Sequence, residues 1–280
     1  MILGNGVGGS SHRRHNRLAF TLLDLLIAAG VVAILLQLLL PLLQLTRERA
    51  RQAECVGNVQ RLVQGALLHV ESHSHFPAGG WSWEWVGDPT RGYGLEQPGG
   101  WIFNVLPFVD AQQIHDYALV ENPVERHVRL GIMVQQVASG FNCPSRRSPG
   151  PFGGSPFDKV HGTKNADHAY RAARSDYAVN GGSIYTTLWP GPDSYEHEAG
   201  ESYEWPEDFL AANGIGYCQS TVTPTDVTRG LSRTYYCGEK YLNPKHYQNG
   251  LDAGDDFTMY QGDDMDIARW TMSTITHEYK

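Results

Sequence analysis

One carboxylate stands almost alone in the most apolar part of this 280-residue chain. Asp24 sits between Leu22-Leu23 and Leu25-Leu26, and the run continues to Leu45 with only Gln37 and Gln44 as further polar side chains. An acid in such a segment is costly, so it normally has a job. A second acidic group, Asp252, Asp255, Asp256, Asp263, Asp264 and Asp266, is spaced by glycines. Hard oxygen donors on Gly turns are what calcium uses, although the spacing is not that of an EF-hand. The plainer reading is a set of Asp turns capped by their own backbone, so calcium is the one cofactor considered and none is required.

His69 and His73 are four residues apart and could share a helix face and a metal. The Glu and third ligand of a helical protease motif are missing, which favours surface histidines near a helix C-terminus. Trp81, Trp83, Trp85 and Tyr93 form an aromatic, Gly-rich loop that could stack on a sugar or a neighbour, with burial under the loop as the preferred reading. Ser145, Ser175 and Ser232 lack a nucleophile-elbow context, and Gly4, Gly6, Gly8 and Gly9 precede no strand-helix phosphate loop. No enzyme is expected.

The apolar run fixes the element that positions Asp24. A bilayer core takes about 20 apolar residues in a helix, which Leu22 to Leu45 supplies. Arg13, Arg14 and Arg17 before it favour a cytoplasmic N-terminus and an external C-terminal region. A cleaved secretory signal is the competing reading, but no small-x-small site precedes Thr46. Pro41 should kink the helix. Beyond it, Val56, Val59, Val63, Ala66, Leu67 and Val70 recur at helical steps, predicting one bent helix to about His73 with an amphipathic second half. The organisation expected is a basic leader over 1–19, a transmembrane and amphipathic helix over 20–75, and an extracytoplasmic globular domain over 76–280.

The remainder alternates short apolar runs with Gly, Pro and Asn turns. Trp101 to Val109, Ser183 to Trp189 and Arg233 to Cys237 read as strands, while Asp110 to Val120 and Ala166 to Arg174 read as short helices. The expected class is α+β: a long N-terminal helix packed on an antiparallel sheet with long loops. Net charge is −8, which argues against nucleic acid as a partner. Cys55, Cys143, Cys218 and Cys237 contain no Cys-x-x-Cys pair, and outside the cytoplasm they allow two disulfides. Three connectivities exist, with a preference for Cys55–Cys143 and Cys218–Cys237.

Leu18-Ala19-Phe20-Thr21-Leu22-Leu23-Asp24-Leu25 resembles the prepilin-type cleavage and methylation motif of type IV pilins and type II secretion pseudopilins. The resemblance implies cleavage between Ala19 and Phe20 and methylation of Phe20. Asp24 stands where that family keeps a glutamate, thought to neutralise the amino terminus of a neighbouring subunit, and Pro41 stands where pilins commonly carry a kinking proline. Two departures are plain: Ala19 replaces the usual glycine, and Asp24 is one methylene shorter than glutamate.

Further blocks resemble a narrower group of pseudopilin-like surface proteins, whose external domain of unknown function is sometimes labelled a bacterial solute-binding type. These are Arg47 to Leu67, Phe76-Pro77-Ala78-Gly79-Gly80, Gly100-Trp101 to Gln113, Phe141-Asn142-Cys143-Pro144-Ser145-Arg146, Ser175-Asp176-Tyr177 to Gly182, Asp226 to Tyr241, and Asp255-Asp256 to Arg269. The implied protein is a single-pass subunit of the cytoplasmic membrane. Its implied partners are a prepilin peptidase, other pilin-like subunits and membrane lipid, in a type II secretion or pilus-like filament. The alternative is a membrane-anchored surface module that captures a carbohydrate or other ligand.

Overall fold

In a computed structural model, residues 21–153, 163–186, 191–195, 203–206, 209 and 211–271 are described. The chain divides into two compact units, Met1–Arg49 and Ala50–Lys280. Helix α1 runs from Leu22 to His73 and its helical assignment continues through Pro41. It is long and apolar enough to cross a membrane, with a peak mean hydropathy of 2.6 over a window none of which is buried. Every large apolar side chain from Leu22 to Leu45 is exposed, which suits a lipid environment and no aqueous one.

Within the second unit, α1 buries Cys55, Asn58, Leu62, Gly65, Ala66 and His69. The predicted stripe is therefore rotated: Val56 and Leu67 face outward, and two polar residues take buried places. Gly65 matters here because a Cβ built on it would lie 2.6 Å from Val109 Cγ1 and 2.8 Å from Val105 Cγ2. Its missing side chain lets the helix approach the segment after residue 100.

That segment corrects the strand expected over Trp101 to Val109. It is helix α2, Trp101–Val105, followed by a 3-10 turn over Leu106–Phe108. Residues 101 to 106 are all buried, so a run apolar on every side carries no period that separates helix from strand. Trp101 Nε1 donates to Ile267 O at 2.7 Å, tying α2 to the far end of the chain. Helix α3, Gln112–His115, and a 3-10 turn over Asp116–Ala118 lie where short helices were expected.

Helix α4, Pro123–Met133, was not anticipated. Its signals are local: Asn122 Oδ1 accepts from Val124 N and Glu125 N, Pro123 opens the first turn, and Glu125 suits the positive end.

The α+β class holds, but the sheets are small and mixed. Strands β1, Pro151–Gly153, and β2, Arg171–Ala173, form an antiparallel pair. Strand β3, Tyr177–Asn180, lies between β4, Cys237–Glu239, and β5, Ala268–Arg269. It pairs antiparallel with β4 and parallel with β5, so the expected wholly antiparallel sheet is corrected. The helix expected over Ala166 to Arg174 is replaced by β2, and the strand expected from Arg233 begins only at Cys237, after a 3-10 turn. Residues 183–186 hold no regular structure, and the rest of that expected strand, to Trp189, lies outside the described residues.

Candidate functional site

At the start of α1, Asp24 Oδ2 accepts from Thr21 N at 3.0 Å and Thr21 Oγ1 at 2.7 Å, while Asp24 N donates to Thr21 Oγ1 at 3.2 Å. Reciprocal bonds of this kind satisfy donors that a helix start leaves open. Among the described residues, the bonds accepted by the carboxylate all fall on Oδ2. Ala19 and Phe20 lie outside the described residues.

The six acidic residues do not gather at one point. Asp252 accepts from Asn243 N at 2.7 Å and Gly254 N at 3.0 Å, as a turn-capping carboxylate does. Asp263 is fully buried and accepts from Thr186 Oγ1 at 2.6 Å. Asp255 accepts from Arg147 and, at 3.1 Å, from Lys240 Nζ. Burial opposes its charge, yet Lys240 and Arg147 hold its carboxyl below the ordinary value.

Only Asp256, Asp264 and Asp266 bring carboxylate oxygens within 4.8 Å of one another. Burial, then the charges of Asp266 and Asp264, push the Asp256 carboxyl up to about 8. At neutral pH these three acids therefore share a proton or admit a cation. Arg174 offsets part of their charge. The six-residue calcium set expected from spacing is thus reduced to three.

Asp255 belongs to a buried ion network that spacing did not reveal. Arg147 Nη2 lies 2.9 Å from Asp176 Oδ1, and its guanidinium also pairs with Asp255 and donates to Tyr247 O at 2.8 Å. Lys240 Nζ donates to Gly254 O at 2.6 Å and Asp266 O at 2.7 Å. Cys143 N donates to Asp176 Oδ2 at 2.8 Å, and Arg146 bridges Asp176 and Glu239. Buried charges must be both paired and hydrogen-bonded to persist, and these are. The sequence signal was weak: charges stand close to buried elements, Arg146-Arg147 after Cys143-Pro144, Asp176 before β3, and Lys240 after β4.

Cys55 and Cys143 form a disulfide that clips α1 to the same network. The expected Cys218–Cys237 bond is not formed, and both thiols are buried and free. Cys218 Sγ turns to Trp81 O at 2.9 Å, whereas Cys237 is held in β4 opposite Val179. Burial pushes the Cys237 thiol up to about 12, so neither cysteine is poised as a nucleophile.

Trp81 and Trp85 are buried edge to face, with centroids 4.8 Å apart, so they offer no stacking platform for a sugar. Trp83 packs on Phe257 at 5.3 Å. Among the described residues a polar cavity of ≈ 870 Å³ is lined by Asn180, Ser183, Asn213, Asp226, Arg229 and Thr271, with others.

The family described as Protein of unknown function (DUF1559), SBP_bac_10, matches residues 44–273. The chain belongs to this family. No curated protein and no solved structure matches it. The DUF1559 match begins at Gln44, at the end of the apolar run, and so takes in the disulfide, the ion network and the acidic cluster. Together with the apolar N-terminal helix, DUF1559 membership is consistent with a single-pass, membrane-anchored surface protein.

Proposed function

We propose that this DUF1559 protein is a pseudopilin-like structural subunit. A prepilin peptidase cuts between Ala19 and Phe20, and α1 holds the product in the cytoplasmic membrane with its globular unit on the outer side. Neighbouring pilin-like subunits then pack through α1 into a type II secretion or pilus-like filament. No catalytic step is part of this reading.

The observation that carries it is Asp24. It is the lone acid at the start of an exposed apolar helix, with one carboxylate oxygen engaged by Thr21. An ionised acid at mid-bilayer costs about 2.5–3.5 kcal/mol, and less nearer an interface. The amine released at Phe20 of an adjacent subunit would offset that cost. Mass spectrometry of the N-terminus of the protein taken from membranes tests the proposal. A methylated Phe20 is the expected terminus, and an intact Met1 sinks the processing step.

The polar cavity favours a second reading, in which the anchored domain captures a small polar ligand or carbohydrate. A glycan array probed with the full chain in detergent should then show hits that Asp226→Ala removes. A flat array removes this reading.

A further inference from the structure

The end of α1 carries three histidines whose arrangement neither the filament reading nor the ion network uses. His69 is not the surface residue its sequence position suggested, since its exposure is 0%. Its ring nitrogen Nδ1 lies 2.9 Å from His75 O. A carbonyl oxygen can only accept, so Nδ1 carries the proton and Nε2 is left with a bare lone pair. That Nε2 is buried and finds no hydrogen-bond partner. Leaving such an atom unsatisfied costs about 1–3 kcal/mol, so it calls for a reason.

His75 repeats the pattern. Its Nδ1 donates to Phe76 O at 2.8 Å, which again leaves Nε2 as the free acceptor. Anchoring one ring nitrogen on a carbonyl while the other faces outward is how proteins orient imidazoles that bind metals. The backbone makes the approach possible: Ser74 takes a φ of 67° and donates to Val70 O at 2.7 Å, reversing the chain so that His75 folds back over His69.

Centroids of the His69 and His73 rings are 4.6 Å apart, and those of His69 and His75 are 5.3 Å apart. Imidazoles bound at about 2.0–2.1 Å to one tetrahedral ion place their ring centres about 5 Å apart, so the ring centres are near the required spacing while the ligand nitrogens have still to converge.

We propose that His69, His73 and His75 form a three-imidazole site for a borderline first-row divalent ion, zinc(II) or copper(II). His69 is the fixed ligand. His73 and His75 are half-buried, and side-chain rotation of these two closes the set. Such rotation is needed, because the carboxylate trio, not the imidazoles, has its ligand atoms already within 4.8 Å. All-nitrogen donors with no carboxylate select against calcium and magnesium. A fourth position stays open to water or to a group from another molecule. The bound ion would pin the last turn of α1 to the chain that leaves it.

The test uses the full chain without an affinity tag, in detergent and stripped of metal, titrated with zinc(II) alone by calorimetry. Cobalt(II) absorption serves as the spectroscopic readout of nitrogen coordination. One saturable equivalent is expected in the wild type. His69→Gln, His73→Ala and His75→Ala should each weaken it by at least about tenfold, while Asp256→Asn leaves it unchanged. His73 and His75 are half-buried, so their variants keep the fold even if His69→Gln does not, and tryptophan fluorescence checks this. The proposal is overturned if the wild type shows no saturable site, or if the His73→Ala/His75→Ala double variant binds zinc as the wild type does. It is equally overturned if Asp256→Asn alone abolishes binding.

Discussion

Reducing the Cys55–Cys143 bond should be the largest single perturbation of the globular unit that leaves every side chain in place. The two cysteines are 88 residues apart in sequence. Closing a loop of that length removes about 15 cal/mol/K from the unfolded chain, or about 4.6 kcal/mol at 25 °C. Measured losses usually fall lower, at about 2–4 kcal/mol. With a urea slope of about 3 kcal/mol/M for a domain of this size, the unfolding midpoint should drop by about 1 M. Buried Trp81, Trp85 and Trp101 provide the fluorescence signal. Reduced wild type should match Cys55→Ala/Cys143→Ala, apart from the small packing loss of two sulfurs. Alkylation before reduction should label neither cysteine in protein taken from membranes. Midpoints of oxidised and reduced protein that agree within about 0.3 M would show that the clip contributes less than about 1 kcal/mol, and the loop-closure reasoning fails.

Two glycines of α1 should respond with opposite signs. Gly57→Ala meets nothing within 4 Å and should stabilise by about 0.5–1 kcal/mol, whereas Gly65→Ala pushes into Val105 and Val109 and should cost about 1–3 kcal/mol, both read from urea midpoints. Arg147→Met leaves Asp176 with Arg146 and Asp255 with Lys240, so a loss near 3 kcal/mol is expected, at the lower end of what a broken buried pair costs. A neutral result there would mean the remaining cations suffice. Burial pushes the Asp263 carboxyl from 3.8 up to about 7, so between those values the folded chain keeps a proton the unfolded chain has lost. Stability should therefore fall as pH rises from about 4 to about 7, and Asp263→Asn should flatten that decline in Tm.

The long helix was legible because its signal is composition over many residues, and no tertiary contact competes with it. The burial of Trp81 and Trp85 followed from the usual fate of large aromatics, whereas the Cys55–Cys143 bond was one of three open connectivities that spacing did not choose. What the sequence hid was decided by contacts between distant segments. Residues 101 to 106 are buried on every side, so there was no alternation by which to tell the helix there from a strand. Asn58 sits on the buried face of α1, its Nδ2 donating to Asn142 O and Tyr177 Oη at 3.3 Å each. Hydrophobic periodicity could not assign a buried asparagine there. The acidic stretch was found as a cluster, but its division among capping, ion pairing and a three-carboxylate group depends on Arg147, Lys240 and Thr186, which arrive from elsewhere in the chain.

Arg147 meets Asp255 across 108 residues of sequence, and Trp101 reaches Ile267 across 166. A polypeptide leaving the ribosome in order cannot complete this interior until residues 255 to 267 have emerged. Until then its arginines and aspartates remain solvated and its aromatic centre stays open. A chain that closes so late remains threadable for most of its synthesis, which suits the proposal that its globular unit passes through a bilayer before it takes shape.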